Sequence, residues 1–433
     1  MSVPGRSREE FEVIRDPLWD NIRLDGVAVA VLDTPAVQRL RYVRQLGHAF
    51  LVYPGATHSR FEHALGAYHL TRLALASLEE RGELAAVPDE DRVAVRLAAL
   101  LHDIGHFPFS HGLEEAGFPS HEALGVAKLE RGELGALLGA AGIPGLASRI
   151  GDLIRGRSPS PLQGLISGSL DLDKIDYLSR DARMCGVPYG AVDVDRLLAA
   201  LTLVEVAPGR REVGVLEKGV SALESLLFAK YQMYRNVYWH HAVRSATCMF
   251  KRAVRAAARA GVLPPAEIAE ATDGGLMAAL LERDSTGLAR AVQARRLHKR
   301  ALDLPASDIG PDEGWTETDP DLLELVEDRL AAEAGLAPGE LLLDFPARPT
   351  MLAVDLPLRL RDGRIGRLTD RGVPGHLGLP QVADHLYRSA RRLRVFVARP
   401  AGRSMDGVAG LVALPAAEVR ARLGRDRALL PGG

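Results

Sequence analysis

Cysteine is scarce: only Cys185 and Cys248 occur in 433 residues. Two cysteines cannot build a disulfide framework, and these two lack the spacing of a cysteine metal site. No uninterrupted apolar stretch is long enough to span a bilayer, which removes a membrane-embedded helix from the expected architecture. The opening segment MSVPGRSREE has no apolar signal core, so a cytoplasmic protein without a membrane partner is expected. Charge is plentiful but balanced, 54 basic against 56 acidic residues for a net −2. That balance argues against a protein that coats nucleic acid, as does the lack of a basic run interleaved with aromatics. Low-complexity segments and internal repeats are missing too, and the apolar content is ordinary, which excludes large-scale disorder. A chain of this length holds two or three domains at ~150 residues each.

What is present is helical patterning. FEVIRDPLWDNIRL reads as two short strands around a turn at Asp16-Pro17. Thr34 followed by Pro35 predicts a helix start and Gly47 its stop, with Val37, Leu40 and Val43 on the buried face. Further helices are expected from about residue 59 to 82 and from about residue 89, the latter ending near His102 and Asp103. Ser160-Pro161 predicts another helix start, leading to Asp173, Tyr177 and Asp181 at successive i,i+4 steps on one face. LVEVAPGRREVGVL reads as a hairpin around Pro208-Gly209. One long helix stopped by Gly261 should carry the aromatic cluster YQMYRNVYW, read chiefly as packing. MLAVDLPLRL and RLRVFVAR are the clearest strands of the remainder. The expected fold is mainly α: a helical core over residues 1–260 and a smaller α+β lobe over 261–433, read as oligomerisation or regulatory.

The chemistry concentrates in LLHDIGHFPFSH, behind the apolar AVRLAALL. A carboxylate and an imidazole delivered by a buried helix, as in His102-Asp103, need a partner charge, and a divalent metal ion is the usual one. His63 in HSRFEHALG and Asp173 in SLDLDKIDYLSRD complete a candidate ligand set. Two imidazoles and two carboxylates leave one or two positions of an octahedral ion for water and a phosphate oxygen. This nitrogen/oxygen set suits manganese, iron, nickel or zinc. One such histidine alone is as readily a core residue; four ligands in this order, each inside its own motif, are not. His106, four residues after His102, would share its face on any helical continuation.

These segments resemble the HD-domain metal phosphohydrolases. LDTPAVQRLRYVRQLG, VYPGATHSRFEHALG, LLHDIGHFPFSHGLEE, PSHEALG and LDLDKIDYLSRDA follow the order and spacing of one branch, the deoxynucleoside triphosphate triphosphohydrolases. That branch includes an animal enzyme with a sterile-alpha-motif domain ahead of its HD domain, a segment not expected here. The resemblance covers roughly residues 11–250 and implies a residue-by-residue set of roles. His63, His102, Asp103 and Asp173 would be the metal ligands. His121 would assist proton transfer, helped by Glu114, where the compared enzyme has aspartate; the alternative is a helix N-terminus capped by Ser120 with His121 exposed. His111 would lie near the leaving 5′ oxygen. Arg60, His106 and Lys174 would bind phosphate oxygens, with magnesium accompanying the nucleotide phosphates. Tyr177, Asp181 and Gln45 would hold the deoxyribose, and Leu46 with a tyrosine such as Tyr238 would wall off a 2′-hydroxyl.

A third cluster concerns regulation. Asp33, Gln38 and Arg41 fall where the animal enzyme reads an activating guanine nucleotide between subunits, yet Glu12 replaces a lysine of that site. The plain alternative is a helix start for Asp33 and a solvated face for Gln38 and Arg41. The resemblance further implies a homo-oligomer, dimer or tetramer, and a deoxynucleotide substrate cleaved to deoxynucleoside and inorganic triphosphate. The alternative activity is a related HD-domain nucleotide phosphatase or nuclease acting on nucleoside monophosphates or DNA ends. A nucleotide sensor without catalysis is disfavoured, since a sensor needs no proton-transfer histidine.

Overall fold

The computed structural model describes residues 11–311, 314–346, 355–368, 386–425 and 428–430. The fold is mainly α, with a few small sheets. At its start β1 (Glu12–Asp16) and β2 (Asp20–Leu24) pair antiparallel. Asp16 turns the corner by accepting from the amides of Leu18 (2.9 Å) and Trp19 (2.8 Å). Then α1 (Gly26–Leu32) begins at Asp25, whose side chain accepts from the Ala28 amide.

The segment after Thr34 corrects the expected helix. Only Pro35–Gln38 is α-helical, followed by a 3₁₀ turn at Arg39–Tyr42. Val43 is extended, Arg44 bridges Ser59, and a distant carboxylate takes the Arg44 amide, so these backbone groups are committed outside a helix. Val37, Leu40 and Val43 are nevertheless buried, as their spacing predicts.

The two helices that carry the first ligands form as expected. α2 (Arg60–Glu80) starts where Glu62 accepts from the Ser59 amide and hydroxyl, a capping box. It ends ahead of Gly82, whose φ of 69° suits glycine. α3 (Asp89–Leu101) opens on Asp89, Glu90 and Asp91, favourable to the helix dipole, and ends with His102 as C-cap. α4 (His121–Leu129) is capped by Ser120, which accepts from the Ala123 amide.

Two expectations change downstream. α5 (Leu172–Cys185) starts at Asp171, whose side chain accepts from the Lys174 amide, and not at Ser160. Ser158, Ser160 and Gln163 side chains bond neighbouring backbone and hold the intervening stretch in turns, the competition such residues offer a helix. The single long helix is in fact α6 (Val220–Met233), a π-helical turn at Tyr234–Tyr238, and α7 (His241–Arg259). Such π turns recur at functional sites.

The hairpin β3 (Leu201–Ala207) and β4 (Arg210–Leu216) turns at Gly209. Later strands are β5 (Lys299–Pro305), β6 (Leu341–Asp344), β7 (Pro357–Arg359), β8 (Ile365–Arg367) and β9 (Arg392–Val397). One sheet has the order β5-β9-β6, antiparallel throughout; the other runs β3-β4-β7-β8, with β4 and β7 parallel. Of the MLAVDLPLRL expectation, residues 351–354 lie outside the described residues.

α2 packs on α3 and α5, and α5 on α6. Their apolar faces make the main core, which also takes in Leu356, Leu358 and Leu368. A second core gathers β5, β6 and β9 around Trp315, Val326 and Leu330. A third joins Phe107 and Phe109 to α7 and to residues as distant as Phe396. The division at residue 260 stays a proposed one, since two of these cores draw on both sides of it.

Candidate active site

Two helix starts and one helix end meet at the site. α2 supplies His63, the end of α3 supplies His102 and Asp103, and the first turn of α5 supplies Asp173. His63 Nε2 lies 2.8 Å from Asp173 Oδ1, 3.3 Å from His102 Nε2 and 3.8 Å from Asp103 Oδ2. His102 Nε2 lies 3.4 Å from Asp103 Oδ1 and 3.5 Å from Asp173 Oδ1. The four expected ligands therefore converge.

The donor set can be tested for a metal from the other ring nitrogens. His63 Nδ1 sits 2.7 Å from Asp176 Oδ2, and His102 Nδ1 sits 2.9 Å from the Ala99 carbonyl oxygen. Both Nδ1 atoms thus donate, so in each neutral imidazole the Nε2 atom carries the lone pair. Two lone pairs 3.3 Å apart, with two carboxylates around them, need a cation between them. A proton competes with a metal for that place: burial alone disfavours a charged His63, but hydrogen bonds and charge from Asp173 and Asp176 outweigh it and draw its pKa up to about 10. Burial likewise opposes ionised Asp103, yet Arg60, His102 and His106 hold it well below the usual carboxylate range. The His/Asp cluster fits a divalent metal ion.

Asp176 is a partner that sequence reasoning missed. Fully buried, it also accepts from Arg180 and from the Trp19 indole, and Arg180 in turn pairs with Asp16. A Cβ on Gly66 would stand 1.8 Å from Asp176 Oδ1, so the glycine in HSRFEHALG is what lets Asp176 reach His63. The available signal was Asp176's place three residues after Asp173 in LDKIDYLSRD.

A second cluster lies alongside. His121 Nδ1 is 2.9 Å and His111 Nδ1 3.3 Å from Glu114 Oε1. Burial would raise the Glu114 pKa, but bonds and charge from His111 and His121 hold it well below the usual range. His106 joins the two clusters. The chain leaves the helix at Leu101, so His106 does not continue His102's helical face; it turns away and stacks on His121 at 3.8 Å. Its Nε2 lies 3.1 Å from Asp103 Oδ1. This approach depends on Gly105, where a Cβ would meet the His121 carbonyl at 2.0 Å. Burial, Arg60 and His121 all keep His106 from charging.

Arg60 is buried and bonds Asp103 and Ser110, a link not anticipated from sequence. Lys174 donates to Asp171 Oδ2 (2.6 Å) and to the Gly168 carbonyl (2.9 Å). Lys230, also unforeseen, is buried nearby; burial and Lys174 lower its pKa to about 8 against the pull of Asp171 and Asp173. The loop bearing Ser110 and His111 is strained, with φ of 58° at Phe109 and 69° at Ser110. Such conformations cost on the order of 1–3 kcal/mol each for non-glycine residues.

On the far side Tyr177 continues the line, 6.4 Å ring to ring from both His63 and Tyr238. Tyr238 donates to Asp181 Oδ2 (2.7 Å), and His58 Nε2 meets Asp181 Oδ1 at 2.7 Å. Gln45 is buried, its backbone N–H donates to the His58 carbonyl, and its Oε1 lacks a hydrogen-bond partner. Leu46, next in the chain, packs against the small cluster of Ala49, Ala56 and Val243. Tyr231, Val237 and Trp239 lie in the main core and Tyr234 and Tyr238 pack against it, so the aromatic run is chiefly packing, with the Tyr238 hydroxyl turned to Asp181. Asp33, Gln38 and Arg41 stand elsewhere: Arg41 donates to Gln38 Oε1 (2.8 Å) and lies over Phe61, and Asp33 caps α1.

Residues 60–181 match the HD domain, and residues 192–370 match an HD associated region. The chain belongs to the HD-domain family, whose namesake histidine–aspartate pair is here His102-Asp103. It is 36% identical over 306 residues to the uncharacterized protein MJ1154 of Methanocaldococcus jannaschii, covering 70% of this chain and 62% of that one. It is 34% identical over 251 residues to the uncharacterized protein YwfO of Bacillus subtilis, covering 57% and 56%. It is 28% identical over 271 residues to human deoxynucleoside triphosphate triphosphohydrolase SAMHD1, covering 54% and 42%. The chain thus spans less than two thirds of each relative's length. Among solved structures, a hypothetical protein from Aquifex aeolicus superposes with a TM-score of 0.71 at 27% identity, over 90% of this chain and 97% of that one. A phosphohydrolase from Bacteroides thetaiotaomicron gives 0.70 at 24% identity, over 90% and 100%, a likeness of fold alone. No helix among the described residues is long and apolar enough to cross a membrane.

Proposed function

We propose that this chain hydrolyses deoxynucleoside triphosphates to the deoxynucleoside and inorganic triphosphate. The observation that carries the reading is the contact between the two clusters: His106 stacks on His121 and lies 3.1 Å from Asp103, so proton-transfer groups adjoin the ligand set. His63, His102, Asp103 and Asp173 would hold manganese, iron, nickel or zinc. The ion, when bound, lowers the pKa of water and polarises phosphorus. His121, oriented by Glu114, moves a proton, a role suited to an imidazole. Water forms the new bond to the α-phosphorus, and His111 gives the leaving 5′ oxygen its proton as the old P–O bond breaks. Arg60, His106 and Lys174 bind phosphate oxygens, Lys174 by swinging from Asp171, and magnesium accompanies the triphosphate. Tyr177, Asp181 and Gln45 hold the sugar, with Leu46 and Tyr238 closing the 2′ side. Asp181 already accepts from His58 and Tyr238, but a carboxylate has about four acceptor positions and can take a sugar hydroxyl as well.

Asp33, Gln38 and Arg41 would read an activating nucleotide, and a homo-oligomer in the cytoplasm is the proposed working form. The relative named as a deoxynucleoside triphosphate triphosphohydrolase supports the substrate class. The test incubates purified protein and metal with each deoxynucleoside triphosphate, alone and in pairs, and identifies the phosphate product. Intact triphosphate is expected. Orthophosphate released from a nucleoside monophosphate, or trimming of DNA ends without triphosphate release, would favour the phosphatase or nuclease alternative.

A further inference from the structure

Asp273 is a buried carboxylate at the first position of α8 (Asp273–Arg283), in a stretch where no functional residue was expected. Its own helix makes little use of the side chain, because Thr272 Oγ1 accepts from the Gly275 amide at 3.2 Å. Asp273 Oδ1 accepts instead from the Phe109 amide at 2.8 Å, and Oδ2 from the Arg44 amide at 3.1 Å. The Arg44 guanidinium stands 3.5 Å from Oδ2. Burying a carboxylate is costly, and burial pushes this one's pKa up against its two amide donors and Arg44.

Both donors belong to segments that build the site. Arg44 precedes Gln45 and Leu46; Phe109 precedes Ser110 and His111. Phe109 and Ser110 are consecutive non-glycine residues in the left-handed region, which persists only where surroundings enforce it. The Phe109 ring is held by stacking on His48 at 4.4 Å and by Phe250 at 4.7 Å, and Gly47 leaves room for the Phe109 carbonyl. Those contacts fix the side chain and carbonyl; the amide is fixed by Asp273. Beyond it, Ser110 accepts from Arg60, and His111 approaches Glu114 at 3.3 Å.

We propose that Asp273 is a positioning residue: one carboxylate from the HD associated region ties the 43–46 turn to the strained 107–111 loop and thereby sets Ser110 and His111 at the site. The kinetic part of this inference rests on the proposed activity; the structural part does not. The experiment compares Asp273→Ala, Asp273→Asn and Thr272→Ala with wild type by hydrogen exchange, metal content and the kcat and KM for a deoxynucleoside triphosphate.

Asp273→Ala should exchange faster across 43–46 and 107–111, keep its metal, and lose about tenfold or more in kcat with a smaller change in KM. Asp273→Asn keeps an oxygen for the Phe109 amide and should restore protection at 107–111 and most of kcat. Thr272→Ala weakens only the helix cap and should leave the loop and kcat alone. Unchanged exchange at 107–111 in Asp273→Ala, or an equal kcat loss in Thr272→Ala, would overturn the inference. If Asp273→Ala does not fold, Asp273→Asn decides: exchange altered at 43–46 with 107–111 protected supports it, and no change at either refutes it. A wild type inactive on every deoxynucleotide would sink the proposed activity while the exchange comparison still tests the loop.

Discussion

His63 Nδ1 lies 2.7 Å from Asp176 Oδ2, and this single contact turns the opposite nitrogen toward His102 and Asp173. Carboxylate partners of this kind fix the tautomer of a metal-binding imidazole and raise its basicity, and losing one typically costs ~10–100-fold in metal affinity. Asp176→Asn should therefore weaken metal binding by about that factor, measured by competitive chelator titration. Asp176→Ala should also lower stability by ~3 kcal/mol in denaturant unfolding, because buried Arg180 keeps Asp16 but loses both bonds it makes to Asp176. Metal affinity equal to wild type in both would remove Asp176 from the site.

Replacing His102 and Asp103 together by alanine should abolish metal binding and hydrolysis at once. The helical signal in circular dichroism should remain, since α3 ends at Leu101, ahead of both. A double variant with full metal content and turnover would refute the ligand assignment.

His121→Ala should separate binding from turnover. Metal and nucleotide should still bind, while kcat falls by ~10²–10⁴-fold, the range for losing general acid–base help. Glu114→Gln should follow in the same direction with a smaller loss, because Gln keeps an oxygen near His121 but not the charge. Unchanged kcat in His121→Ala would reduce the residue to a helix start capped by Ser120.

A 2′,3′-dideoxynucleoside triphosphate should be a substrate poorer by ~10²-fold or more than its deoxy counterpart, as expected where a buried acceptor is left unmatched. Asp181→Ala should narrow that difference. Equal kcat/KM for both substrates in wild type would move the sugar away from Asp181 and its partners His58 and Tyr238.

Guanosine triphosphate should not be an obligatory activator. Glu12 lies on β1 where the resembled animal enzyme has lysine, and like charge next to a phosphate opposes binding. Hydrolysis of one deoxynucleotide is expected without guanosine triphosphate, and Glu12→Lys should increase the response to it. Complete dependence of the wild type on guanosine triphosphate would contradict this.

The local elements and the motifs that carry the candidate ligands could be read from the sequence. Capping at Ser59 and Ser120, the glycine stops at Gly82, Gly209 and Gly261, and the apolar spacing of 37, 40 and 43 depend on near neighbours, so they were legible. His63, His102, Asp103 and Asp173 were legible because each sits in a distinctive motif. The helix expected through residue 46, the start expected at Ser160 and the unbroken helix to Gly261 failed where distant groups or side-chain bonds claimed the backbone. Arg44 gives its amide to Asp273, 229 positions away, and no local pattern records that. Tertiary structure alone decided that Asp176 orients His63 through the space left by Gly66, and that His106 leaves the helix to stack on His121. It decided as well that Asp181 is held by His58 and Tyr238. These choices are set by which side chains meet across packed helices, and a buried polar group takes whichever partner the packing brings within reach.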